Sequence, residues 1–195
     1  MTESWTIQWR SIETRGDLLV LMFSQLTPHV ETAIESGRRI LDAEFNVGTA
    51  SSFLFSASVV GDFFWPSPQR RRVLREAYPR RDRDMRHVVG LPDDQPPGLD
   101  SIRNDLTHVD ERLEEMILEA ADAPLLAWAD GNSAPEGTRR YMNFERATGV
   151  LHSLGTEVDV TQIVAWHENL RARVARAFVP LVMKSPHLGR VDNDR

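Results

Sequence analysis

A stripe of apolar residues with helical spacing constrains the fold of this chain more than any other feature of its sequence. Its members follow one another at intervals of four, three, four and three residues: Ile102, Leu106, Val109, Leu113 and Met116. Residues at these intervals share one face of an α-helix, whereas a strand would place them on both faces. Asp100 or Ser101 can cap this helix, and the pattern continues to about Ala121. The sequence therefore predicts an amphipathic helix packed against other elements.

Other segments carry the same helical signal. Residues 18–26 are apolar, and Thr27-Pro28 then predicts the capped start of a new helix. A third apolar segment runs from about Ser51 to Trp65, and prolines end it. A last helix starts at Asp159 or Thr161 and has its own apolar stripe. That stripe consists of Ile163, Val164, Trp166, Leu170, Val174 and Phe178.

Strand signals are confined to short segments. Residues 141–144 and 150–154 flank a turn at Ala147-Thr148-Gly149, which predicts a hairpin, and residues 157–160 can extend it. Trp5 to Arg10 alternates apolar and polar residues, as a short strand does. Residues 91–99 contain three prolines and a glycine and predict a loop. We therefore expect a mainly α fold, a helical bundle with a small β-hairpin near the C-terminus, in one domain over residues 1–195. Its bundle core covers about 18–121, and the hairpin with the final helix covers about 140–178.

The composition of the 195 residues excludes several classes of site. The chain has no cysteine, so it can form no disulfide, thiolate zinc site or cysteine nucleophile, in keeping with a cytoplasmic location. Its longest purely apolar run, Leu18 to Phe23, is too short to cross a bilayer. The N-terminus has no secretory signal pattern, and we expect no membrane partner.

Basic charge is concentrated in one segment of an acidic chain. The net charge is −6, yet residues 70–87 contain eight arginines against three acidic residues. Such a segment is a candidate contact for a polyanion such as RNA. The same pattern also fits a helix face whose arginines pair with acidic groups elsewhere in the fold. The predicted RNA contacts are Arg70, Arg71, Arg72, Arg75, Arg83 and Arg86.

The hexapeptide from Arg103 to His108 carries the strongest chemical signal. Arginine presents a planar fork of donors that suits phosphate, and histidine exchanges a proton near neutral pH. On a helical wheel, Asn104 and His108 point away from the apolar stripe, and Arg103 lies on its flank. Arg103, Asn104 and His108 are therefore the candidate catalytic residues. Glu111 and Glu115 continue this outer face and would repel a phosphate.

Arg103, Asn104 and His108 resemble the signature of the HEPN superfamily, in which an arginine, often followed by asparagine, precedes a histidine by four to six residues. The stretch from Ile102 to Leu113 is most similar to bacterial HEPN-like proteins that have glutamate directly before the histidine, a position that Thr107 occupies here. The resemblance covers about a dozen residues closely and residues 18–121 loosely.

The resemblance implies a symmetric homodimer in which two motifs meet at a cleft. Active members are metal-independent endoribonucleases of the toxin or antiphage type. His108 would take the proton of a ribose 2′-hydroxyl or give a proton to the leaving oxygen. Arg103 would hold the phosphate, and Asn104 would orient either His108 or Arg103 by hydrogen bonding. Other members are non-catalytic scaffolds for dimerisation or for a protein such as an antitoxin. No cofactor and no metal are expected.

Competing motifs are weaker. Arg80 or Arg81 with His87, and Arg146 with His152, have the same loose spacing without the asparagine. His108, Glu111 and Glu115 share a helix face, but a dinuclear metal site needs a second Glu-x-x-His helix, and we find none. Gly-x-Ser-x-Gly and glycine-rich phosphate loops are absent. His167, beside Trp166, is predicted to be a surface or interface residue.

Overall fold

The described part of the chain is mainly helical, with a small antiparallel sheet near its C-terminal end, as the sequence predicts. The structure is a computed structural model. It describes residues 15–67, 78, 80–96, 98–107, 111, 114, 117–118, 125–126, 139–140, 142–153 and 156–184. The predicted strand at Trp5 to Arg10 and the arginines from Arg70 to Arg75 lie outside these residues.

The first helix, α1, spans Arg15–Leu41 without a break and contains Pro28. The predicted break at Thr27-Pro28 is therefore wrong. Proline inside a helix costs about 3 kcal/mol, because it lacks an N–H and its ring crowds the carbonyl one turn earlier. Phe23 and Leu26 before the proline, and Val30 after it, are all buried in one core. Burying each such side chain contributes about 1.5–3 kcal/mol, so continuous packing outweighs the proline.

The second helix, α2, spans Val47–Phe64 and has a capping box at its start. The Asn46 side chain accepts from the Thr49 amide at 2.9 Å, and the Thr49 hydroxyl accepts from the Asn46 amide at 3.0 Å. This exchange satisfies two donors that a helix start otherwise leaves unpaired. By length and composition α2 is apolar enough to cross a membrane, and half of it is buried inside the protein.

Two shorter helices follow, α3 at Arg81–Val89 and α4 at Leu99–Thr107. α4 begins at Leu99, so the predicted caps Asp100 and Ser101 lie within its first turn. Leu99 is fully buried, and the Ile102 amide donates to the Gly98 carbonyl at 3.1 Å. Burial of Leu99 thus starts the helix two to three residues earlier than capping chemistry indicates.

The predicted hairpin is confirmed and has a third strand. β1 (Leu125–Leu126) and β2 (Arg139–Arg140) form a short parallel pair. β3 (Met142–Glu145), β4 (Val150–Ser153) and β5 (Thr156–Asp159) form an antiparallel sheet in that order. The turn before β4 closes at Gly149, whose φ of 72° suits glycine, and the Gly149 amide donates to the Glu145 carbonyl.

The last helix, α5, spans Val160–Met183 and follows β5 directly. Asp159 is its N-cap, because the Asp159 carboxylate accepts from the Gln162 amide at 2.8 Å. Its buried residues include Ile163, Val164, Leu170 and Val174, as the apolar stripe predicts.

Two apolar clusters hold these elements together. The sheet core joins α1, α2, α4 and α5 to the three-stranded sheet, with Phe53, Ile102 and Phe144 at its centre. The helix core joins α1, α2, α3 and α5 around Phe23, Phe64 and Met85. Trp166 packs against both clusters. The sheet and α5 therefore share their cores with the earlier helices.

Candidate functional site

The hexapeptide begins on α4, directly after the proline-rich loop. Ile102 is 1% exposed, and Leu106 packs against the sheet core, so these two residues fix the inner face of the helix. Arg103 and Asn104 occupy the two helical positions after Ile102. Their side chains and all of His108 lie outside the described residues. The geometry among the three candidate catalytic side chains thus stays a prediction.

The described residues on either side of the motif include several exposed ones. Asp100, four residues before Asn104, is exposed, and Glu111 is helical and exposed. Further along, Ile117 is 61% exposed and Leu118 is 78% exposed. The described residues that follow α4 are therefore exposed, acidic at Glu111 and apolar at Ile117 and Leu118.

The arginine-rich segment divides into buried and exposed residues. Arg81 is buried, and its Nη2 donates to the carbonyls of Asp62 and Phe63 at 3.0 and 2.8 Å. These carbonyls belong to the last turn of α2, where the helix dipole is negative. Arg83, by contrast, is exposed on α3.

Arg86 completes the same contact with the end of α2. It is 8% exposed and donates through Nη1 to the Phe64 carbonyl. Nη1 and Nη2 also lie 3.2 Å from Asp82 and Asp93, and the guanidinium stacks over Trp65. These contacts bury the Arg86 side chain and engage its two terminal nitrogens within the protein, which is unfavourable for the predicted contact with RNA. The sequence also allowed these arginines to pair with groups elsewhere in the fold, and Arg81 and Arg86 do so.

The sheet brings together a histidine and two carboxylates that the sequence analysis did not select. His152 Nε2 lies 3.3 Å from Glu145 Oε1, and His152 Nδ1 lies 3.6 Å from Glu157 Oε1. The strand register explains this, since His152 faces Glu157 on one side and Asn143 on the other. The alternative motif of Arg146 and His152 therefore ends at a histidine set between two acidic groups, a poor environment for RNA phosphate.

His167 lies in the interior, so its predicted surface position is wrong. The residue has no exposed surface, and its Nδ1 lies 2.8 Å from the Ile163 carbonyl. Burial lowers the pKa of His167 from 6.5 to about 4, and the hydrogen bond to Ile163 opposes this shift only in part. The imidazole is therefore neutral at physiological pH.

The part of the chain described here contains two notable surface cavities. A polar one of about 410 Å³ lies between α1 and the start of α2 and is lined by Thr32, Ser36, Thr49 and Ser52 among others. An apolar one of about 250 Å³ lies between α1 and α5. Among the described residues, no group of three or more histidine, aspartate or glutamate side chains has the geometry to hold a metal ion.

Comparisons with protein-family models, with curated proteins and with solved structures find no match to this chain.

Proposed function

We propose that this protein is a HEPN-like, metal-independent endoribonuclease that works as a homodimer through Arg103, Asn104 and His108. The observation that carries the proposal is the setting of Arg103 and Asn104 on α4. Ile102 and Leu106 hold that helix to the sheet core, and both Asp100 of α4 and Glu111 beyond its end are exposed. A rigid helix that turns one stripe outward is a suitable support for catalytic side chains.

The reaction requires a proton acceptor, a group that binds the phosphate and a proton donor. His108 takes the proton of a ribose 2′-hydroxyl, whose oxygen then attacks the adjacent phosphorus. The bond from phosphorus to the 5′-oxygen breaks, and a proton passes to that oxygen, from the second His108 of the dimer or from water. Arg103 stabilises the extra charge on the phosphate, and Asn104 orients one of the reacting groups. The products are a 2′,3′-cyclic phosphate and a free 5′-hydroxyl.

Acidic residues next to the motif oppose RNA binding. Glu111 and Glu114 are both exposed, and each places a negative charge near the approach of a phosphate. Exposed Arg83 and the segment from Arg70 to Arg75 supply the compensating positive charge in this proposal. Cleavage should therefore depend strongly on salt concentration, because the attraction acts through solvent.

A non-catalytic scaffold is the second candidate function, and two exposed apolar residues that follow the motif in the sequence favour it. Ile117 and Leu118 are large side chains that a monomer gains little by exposing. Such residues commonly bury themselves against a second copy or a protein partner such as an antitoxin. A dimer built on this surface fits both functions, so dimerisation alone does not separate them.

The test is to incubate the purified protein with structured RNA in EDTA. We expect cleavage that leaves 2′,3′-cyclic phosphate ends. His108→Ala should slow it by about 10² to 10⁴-fold, the usual contribution of a general acid or base. Arg103→Ala should slow it by about 10² to 10³-fold, as the loss of a group that stabilises transition-state charge does.

The matched control is His87→Ala. His87 is an exposed histidine of α3 that follows Arg80 and Arg81 at the same loose spacing, and its removal should leave cleavage unchanged. Leu118→Glu should dissociate the dimer and reduce cleavage with it. If the dimer forms but no RNA is cut in EDTA, the scaffold function replaces the nuclease. If cutting is equal in the wild type and in His108→Ala, a contaminating nuclease accounts for it.

A further inference from the structure

The three-stranded sheet has an apolar face and a polar face. Its apolar face belongs to the sheet core, to which each strand contributes one of Phe144, Leu151 and Val158. Successive side chains of a strand point to opposite faces, so the residues between these belong to the other face. There the strand register sets His152 of β4 directly opposite two polar residues, Asn143 of β3 and Glu157 of β5.

Asn143 is a buried amide whose hydrogen-bonding capacity is unused. It is 2% exposed, and neither its Oδ1 nor its Nδ2 has a hydrogen-bond partner among the described residues. Buried polar side chains nearly always bind protein, water or an ion, because leaving them unpaired costs free energy. Directly opposite residues have Cβ atoms about 4.5–5.5 Å apart, so the Asn143 amide and the His152 imidazole project side by side from the sheet.

The distance between His152 and Glu145 suits two ligands of one metal ion. Nε2 of His152 lies 3.3 Å from Oε1 of Glu145. This distance is longer than a hydrogen bond between charged groups, which is about 2.7–2.9 Å. Two ligands of a tetrahedral Zn²⁺ ion lie about 3.3 Å apart when their bonds to the metal are about 2.0–2.1 Å long. The Thr148 hydroxyl donates to Oε2 of Glu145 at 3.2 Å and thereby orients the carboxylate.

Glu157 is placed to support the other nitrogen of the same ring. A histidine that binds a metal through one nitrogen usually donates the N–H of the other to a carboxylate or a carbonyl, which fixes the orientation of the ring. Oε1 of Glu157 lies 3.6 Å from Nδ1 of His152. The Glu157 side chain is 74% exposed, so rotation about its own bonds can shorten this distance to that of a hydrogen bond.

We propose that this face of the sheet binds one divalent transition-metal ion of the size of Zn²⁺, through Nε2 of His152, Oε1 of Glu145 and Oδ1 of Asn143. Imidazole nitrogen and carboxylate oxygen are usual ligands of such ions, and the amide oxygen of Asn143 is the third. Three protein ligands leave one position for water, and the His152 side chain is 15% exposed, so solvent reaches the site. The ion joins β3 to β4. The site is separate from the motif on α4 and from the metal-independent reaction proposed for it.

Isothermal titration calorimetry with Zn²⁺ tests the site in full-length protein that has been treated with EDTA and then exchanged into buffer without it. We expect one ion per chain. His152→Ala should abolish binding, and Glu157→Gln should weaken it by about 10- to 100-fold, the usual effect of losing the partner of a ligating histidine. The matched control is His87→Ala, which removes an exposed histidine of α3 and should leave the affinity unchanged.

Asn143→Leu separates a metal ligand from a merely structural residue. Leucine has a similar size and needs no hydrogen bond, so this variant should resist urea at least as well as the metal-free wild type. It should nevertheless lose Zn²⁺ binding. Failure of the wild type to bind Zn²⁺ overturns the proposal, and so does an affinity that is equal in the wild type and in either His152→Ala or Asn143→Leu. The nuclease is tested in EDTA, so its outcome does not depend on whether this site binds Zn²⁺.

Discussion

Replacing His167 with phenylalanine should remove a defined part of the pH dependence of folding. The Ile163 carbonyl can only accept a hydrogen bond, so His167 Nδ1 carries the proton of the neutral ring and Nε2 holds the lone pair. Nε2 is buried and has no hydrogen-bond partner among the residues that the structure describes. A second proton would therefore create a buried N–H without an acceptor, which explains why burial lowers the pKa of His167 to about 4.

The size of the effect follows from the two pKa values. In the unfolded chain, histidine titrates near 6.5, so between pH 6.5 and 4 the unfolded state binds the proton and the folded state does not. Stability therefore falls as the pH falls through this window. A shift from 6.5 to about 4 corresponds to a loss of about 2 kcal/mol at pH 5 relative to pH 8. The full loss below pH 4 is about 3 kcal/mol.

Urea denaturation of the wild type and of His167→Phe at pH 8, 7, 6 and 5 measures this difference. Phenylalanine keeps an aromatic ring against Trp166, which meets His167 edge-on at 4.8 Å. Other titrating groups affect both proteins alike, so the difference in unfolding free energy between the variant and the wild type should grow by about 2 kcal/mol from pH 8 to pH 5. A difference that stays constant over this range would refute the account of His167.

Three further substitutions test the packing. Gly37→Ala should destabilise the fold by about 2 kcal/mol, because a Cβ there would lie 2.3 Å from Val164 Cγ2, and Val164→Ala in the same chain should restore part of that loss in thermal unfolding. Arg86→Ala should cost about 2–3 kcal/mol in urea denaturation by leaving the buried Phe64 carbonyl without its charged donor, whereas exposed Arg83→Ala should change stability by less than about 0.5 kcal/mol. Asp159→Ala should cost about 1 kcal/mol through the lost N-cap, and Asp159→Asn should retain most of the stability. An equal loss of stability with and without Val164→Ala, in Arg86→Ala and Arg83→Ala, or in Asp159→Ala and Asp159→Asn would contradict the corresponding assignment.

Turns and helix starts that depend on interactions between neighbouring residues could be predicted from the sequence. The turn at Ala147 to Gly149 is confirmed, and the N-cap is Asp159, one of the two predicted residues, because turn and capping chemistry acts over a few residues. The break at Thr27-Pro28 was wrong for the same reason. Proline disfavours a helix locally, but the buried residues on both sides of it belong to one core that only the tertiary structure reveals.

The surroundings of the histidines and arginines depend more on contacts between residues distant in the sequence than the limits of the helices and turns do. His167 does share the spacing of Ile163, Leu170 and Val174, so the buried stripe already contained the signal for its burial. The burial of Arg86 has no such signal in the sequence, because its partners include the end of α2, twenty-two residues away. The cluster around His152 became visible only once the strand register was known. Helical periodicity thus predicts which face is buried, but it does not identify what a polar side chain on that face contacts.

The central claim is that Arg103, Asn104 and His108 form an RNA-cleaving site, and the ratio of two rates tests it most directly. The rates are those of EDTA-resistant cleavage of one structured RNA by the wild type and by His108→Ala, at equal concentrations of folded protein. The proposed chemistry predicts a ratio of about 10² or more, with 2′,3′-cyclic phosphate ends on the wild-type products. A ratio near one, or no cleavage by the wild type, would contradict it.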